Sequence, residues 1–157
     1  GNMGWIHYRK SDFVKALEYS IQAIKISEAI GDKAELGRSL NNMAAVYFEQ
    51  KQFDKALAEF SKALAVAEQL NDGKLKARTL NNMAYMYLMG SQLLDSAAAY
   101  ADRALKASEH IRDSYLTSFA LRTLGDVWTE KGKYREGIQL YQRGIAMSEK
   151  NRNNSMR

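Results

Sequence analysis

Two pairs of adjacent asparagines, Asn41-Asn42 and Asn81-Asn82, are the residues of this chain best suited to molecular recognition. A side-chain amide offers a donor and an acceptor together, so a row of amides can hold the backbone of an extended peptide whatever its side chains. Arg38 and Arg78 stand four residues before Asn42 and Asn82. On a helix that spacing places each Arg and its Asn on one face, where the guanidinium adds charge-assisted bonds to a carboxylate. Asn is a poor residue for a helix interior, so its repeated use calls for a reason. A second reading is architectural, with Asn42 and Asn82 bonding between adjacent helices.

Catalysis finds little to work with. His7 and His110 are the two histidines, they lie far apart in the pattern described below, and there is no cysteine. Asp126 and Glu130 are i, i+4 carboxylates of the ordinary solvated kind. No glycine-rich phosphate loop and no metal-ligand spacing is present. No enzyme activity, no cofactor and no metal site are therefore expected.

The elements that must carry these side chains follow from composition and from an internal repeat. Of 157 residues, 46% are hydrophobic and 26% charged, which is globular composition, and there is no proline to interrupt a helix. The net charge of +5 is spread among interleaved acids and bases, so nucleic acid is not an expected partner. Apolar runs are too short to span a membrane. The lack of cysteine suits a reducing compartment, and a cytoplasmic location is expected.

The segment Arg38 to Tyr47, RSLNNMAAVY, returns as Arg78 to Tyr87, RTLNNMAYMY, and more faintly around Leu121 to Trp128. A second motif with small residues seven apart follows each copy: Ala16 and Ala23, Ala56 and Ala63, Ala97 and Ala104, Gly137 and Gly144. Seven residues are two helical turns, so each copy supplies a pair of amphipathic helices, A then B. Four repeats result, at about 1–31, 32–71, 72–112 and 113–151. The expected helices are 2–9, 12–30, 33–50, 53–70, 74–89, 92–111, 114–131 and 134–150. Asp32 with Glu35 reads as a capping box. Ala56 and Ala97 are 41 apart, against 40 between Tyr47 and Tyr87, so one extra residue is expected near Gly90-Ser91.

The order Ala44-x-x-Tyr47, Ala56, Phe60, Ala63, repeated as Gly125-x-x-Trp128, Gly137, Tyr141, Gly144, resembles the tetratricopeptide signature. The long period and the Leu-Asn-Asn-Met phrase look like the variety found in kinesin light chains and bacterial regulators. The resemblance implies an all-α, right-handed α-solenoid, a superhelix whose A helices line a concave groove that binds a protein or peptide. In that register Trp5, Tyr8, Arg38, Asn41, Asn42, Phe48, Arg78, Asn81, Asn82, Tyr85, Leu88 and Arg122 face inward. The amides would hold backbone, the arginines acidic groups, and Trp5, Tyr8, Phe48, Tyr85 and Leu88 apolar anchors. Asn42 and Arg78 match two positions of the clamp that grips acidic chaperone tails. Gly1, Trp5 and Asn82 break that pattern, so this specific function is disfavoured. The signature aromatic is missing at Ser20 and Ala101, where thinner packing is expected.

Two further expectations concern the ends. Residues 150–157 map onto a joint that leads into another helix A, so the chain is expected to be a piece of a longer array whose exposed ends self-associate. The alternative function is a regulatory or sensor segment of a bacterial signalling protein that dimerises or transmits a signal.

Overall fold

The computed structural model describes residues 10–155. They form α1 (Lys10–Ile30), α2 (Lys33–Glu49), α3 (Phe53–Leu70), α4 (Gly73–Met86), α5 (Leu94–His110), α6 (Ser114–Glu130) and α7 (Tyr134–Ser155). A π-helical turn, Tyr87–Ser91, extends α4. No strand occurs among the described residues, and the expected all-α class holds. The helix expected at 2–9 lies outside the described residues. The ends that differ most from expectation are the start of α1, already at Lys10, the end of α4, which gives way to the π turn after Met86, the start of α5, at Leu94 instead of 92, and the end of α7, which runs beyond 150 to Ser155.

Helix starts are written in the sequence. Asp32, Asp72 and Asp113 accept from the backbone N–H of Glu35, Leu75 and Leu116 at 3.1, 3.0 and 2.9 Å. Each such cap is worth about 1 kcal/mol. The reciprocal half of the expected capping box is not made. The Asp32 N–H bonds to the Ser27 carbonyl, and the Glu35 carboxylate is taken by Arg38 and Ser39.

Helix stops follow one rule. A left-handed residue ends each of the six joints: Gly31, Lys51, Asn71, Gln92, Arg112 and Gly132, with φ between 55° and 83°. In five of them the next N–H reaches back five residues, as in Lys133 to Trp128, at 2.8 to 3.0 Å. This is the Schellman arrangement, which satisfies carbonyls left over at the helix end. At the sixth joint Leu93 reaches back six residues to Tyr87 at 3.1 Å. The extra residue is absorbed by the wide π turn, one residue longer than an α turn. The sequence places the insertion here; the structure shows its form.

The chain divides into two compact units, Gly1–Val66 and Ala67–Arg157. In the first, α1 packs on α2, and Leu40, Met43, Ala44, Ala56, Phe60 and Ala63 are buried. In the second, α4 packs on α5, α5 on α6, α6 on α7, and α6 also touches α4. Its interior holds Leu80, Met83, Ala84, Met86, Ala97, Ala101, Ala104, Leu121 and Val127. Burying one Leu or Met side chain contributes about 1.5–3 kcal/mol. Small residues at the signature positions set how near the helices come. A Cβ on Gly125 would stand 2.6 Å from the Tyr141 ring, so glycine is what lets that ring lie on α6. Ala101 is fully enclosed despite lacking the signature aromatic; Tyr100, one residue earlier, stacks on Tyr87 with centroids 5.3 Å apart. The counterparts of Tyr87 in the neighbouring repeats are half-buried under cations, Lys55 over Tyr47 and both Lys131 and Lys133 over Trp128.

Candidate interaction surface

In the first unit, α2 presents Arg38 and Asn42 to solvent, one turn apart. Arg38 is joined to Glu35 at 2.8 Å with both side chains about half exposed. Such a pair is worth less than about 1 kcal/mol, so a ligand carboxylate can compete with Glu35 for the guanidinium. Phe48 is half-buried and lies 5.8 Å from Phe53, ring to ring. Asn41 is buried. Trp5 and Tyr8 lie outside the described residues.

In the second unit, α4 carries Arg78, Asn82 and Tyr85 at i, i+4 and i+7, one helical stripe, with Arg78 and Tyr85 exposed and Asn82 half-buried. Tyr85 meets Phe119 of α6 edge-on at 6.4 Å, and Arg122 lies over the Phe119 ring at 5.5 Å. Tyr85, Phe119 and Arg122 thus form one continuous aromatic–cation cluster. Met89, 57% exposed, continues the stripe on the π turn.

Three of the expected contacts do not reach this surface. Asn81 is buried, and its amide donates to the Leu116 carbonyl at 3.1 Å. Asn81 thus makes a bond between adjacent helices of the kind expected of Asn42 and Asn82. Asn41 occupies the same register and is buried likewise. Leu88 is buried against Ala97 and Val127 where the chain enters the wide turn, so it is no apolar anchor. The helix face turned inward is broader than a narrow stripe, because α6 covers α4 from the side.

Two hollows adjoin α6. One, about 610 Å³, is lined by Tyr115, Phe119, Arg122, Tyr141, Ile145 and Arg152 among others. A smaller one, about 290 Å³, takes in Met89, Gln92, Asp126 and Glu130. Tyr141 belongs to both, and its hydroxyl donates to the Asp126 carboxylate. Burial, followed by that bond, raises the Tyr141 pKa above its ordinary value. Tyr141, Ile145 and Arg152 of α7 were not among the expected contacts, all of which lie on A helices. The 40-residue shift that carries Leu105 onto Ile145 is the signal that finds them.

Among the described residues no group of three or more His, Cys, Asp or Glu is arranged to hold a metal ion, and no helix is long and apolar enough to cross a membrane. A family model for the tetratricopeptide repeat matches residues 1–69 and again 35–109. Among solved structures, the crystal structure of BtubC (BKLC) from P. vanneervenii is similar, with a TM-score of 0.79 and 21% sequence identity. The match covers 90% of this chain and 59% of that one, and at this identity it speaks for the fold alone. No curated protein matches.

Proposed function

The chain belongs to the tetratricopeptide repeat family, whose repeats generally mediate protein–protein interaction, and from that premise we propose that its A helices bind a peptide or helix of a protein partner. The observation that carries this reading is the surface stack of Tyr85, Phe119 and Arg122 beside Arg78 and Asn82. Aromatic and arginine side chains dominate binding energy at protein interfaces, the aromatic ones because they bury large area with little loss of side-chain freedom and arginine because its planar fork makes several directed hydrogen bonds. Here two cations flank two rings. The fitting ligand is a segment with an apolar anchor for the rings and an acidic group for Arg78 or Arg122. Asn82 supplies the amide for its backbone. On α2, Arg38 and Asn42 repeat the cation and amide, and Phe48 the ring.

The test is selection from a displayed library of random peptides, followed by measured affinities of the winners. Acidic, aromatic or aliphatic sequences should be enriched, and the pair Arg78→Ala with Tyr85→Ala should weaken them at least tenfold while the helical circular dichroism is kept. Winners without acidic residues, or affinities untouched by that pair, would sink the reading.

A further inference from the structure

The smaller hollow beside α6, about 290 Å³, has one apolar wall and one acidic wall. Leu88 and Met89 of the π turn and Leu94 of α5 make the apolar wall. Asp126 and Glu130 of α6 make the acidic one, with Tyr141 of α7 beside them. Elements on both sides of the hollow are thus in place. No lysine, arginine or histidine among the described residues lines it. Of the cations on either side in the chain, Arg122 lies over the Phe119 ring, Lys131 is bonded to Asp95 at 2.5 Å, and Lys133 lies over Trp128. The Tyr141 hydroxyl donates to Asp126 but brings no charge. Burial and that bond come first in raising the Tyr141 pKa, and the charges of Asp126 and Glu130 add to it, so both are felt at the wall of the hollow.

The repeat does not call for this pair of acids. Shifted by 41, Asp126 and Glu130 fall on Tyr85 and Met89, neither of them an acid. Size narrows the occupant. At about 290 Å³ the space lies below the roughly 300–1,000 Å³ of a small-molecule pocket and suits one long side chain. We propose that the hollow is a specificity pocket for a lysine or arginine side chain of the segment held by the A helices. The proposal rests on the function given above, with that segment extended, and adds a second charge to it. Leu88, Met89 and Leu94 would cover the aliphatic stem, and Met89 can adapt to it. Asp126 and Glu130 would take the charged head through charge-assisted hydrogen bonds.

The fitting ligand is then dipolar, with its acid on Arg78 or Arg122 and its base in the hollow. Arg122 and Glu130 are eight residues apart on α6. At about 1.5 Å per residue that is about 12 Å, which an extended chain covers in about four residues. Acid and base should therefore stand about four residues apart in the ligand, with the apolar anchor between them.

One displayed library of random peptides, selected in parallel against the full chain, Glu130→Gln and Glu130→Lys, tests this. Glu130 is exposed, so the helical circular dichroism of both variants should match the parent. Winners on the unchanged chain should carry Lys or Arg about four residues from an acid. On Glu130→Gln the acid should stay enriched while the base falls to its frequency in the library, and Glu130→Lys should replace the base by a second acid. Glu136→Gln, which removes an exposed acid of α7 outside the hollow, should select as the unchanged chain does. Norleucine in place of the base of the strongest winner should weaken binding to the unchanged chain about tenfold or more, and to Glu130→Gln hardly at all. Acidic winners with no base at a fixed spacing, or a base that persists on both Glu130 variants, would overturn the pocket and leave the groove reading standing. Recovery of no acidic winner would take both down.

Discussion

Where α4 meets α5, Ala84 and Ala101 hold the signature positions and both are wholly enclosed. Where α6 meets α7, the same positions carry Gly125 and Tyr141, and the ring lies over the space a Cβ would need. The α2–α3 pair has a third solution, Ala44 with Phe60. The joints differ as well, since α4 reaches α5 through a π turn ending in Gln92, while α6 reaches α7 through an ordinary Schellman turn ending in Gly132. The repeat therefore keeps a small residue on the A helix and the direction of the returning helix, and lets the facing position range from Ala101 to Phe60 and Tyr141.

The sharpest way to break this comparison is to exchange the two solutions. Gly125→Ala should cost about 2 kcal/mol by overpacking against Tyr141. In a Tyr141→Ala background the same change should cost much less, because Ala with Ala is what α4 and α5 already tolerate. Urea denaturation of the four variants gives the coupling; simple additivity would mean the two sites do not share one space. The next effect is at the joints and has opposite signs. Gly132→Ala forces a side chain into a left-handed backbone and should cost about 1 kcal/mol, whereas Gln92→Gly should relieve a similar strain and stabilise by about 0.5 kcal/mol. Thermal melts of both variants check the pair of signs.

Smaller still is the effect of deleting Met89. Removal of one residue makes Leu93 the fifth residue after Tyr87, the spacing of the other five joints, and stability should move by less than about 0.5 kcal/mol. A large loss would mean that the contacts of Leu88 with Ala97 and Val127 demand the wide turn. Least of all is a pH effect. Burial and the Asp126 bond hold Tyr141 protonated, so its contribution is complete below the ordinary tyrosine value of 10.0 and fades as pH climbs through the raised one. Tyr141→Phe should flatten that alkaline loss in part, because Tyr87 is raised too, by burial and by Tyr100.

The helices and their order were legible because they rest on local signals: small residues seven apart, an aspartate before each of three A helices, and a period long enough to count. The inserted residue was legible as a number, 41 against 40, but not as a π turn, since nothing in Leu88-Met89-Gly90 distinguishes a widened helix from a longer loop. The binding surface was legible only in part. Asn81 and Asn82 are chemically identical and one residue apart, and which is buried depends on how α6 lies against α4. That is a tertiary fact. The α7 side of the larger hollow was missed for another reason: the expected contacts lay on A helices alone, and Ile145 is on a B helix.

Met83 and Met86 are enclosed in α4, and three residues on Met89 stands in the open. Thioether sulfur is oxidised by peroxide only where the oxidant can reach it, and the sulfoxide formed is too polar to return to an apolar interior. The three methionines thus make a built-in chemical clock. Met89 should react fastest of the three, while its two neighbours record, in the fragment masses of a single peptide, how often the helix around them opens.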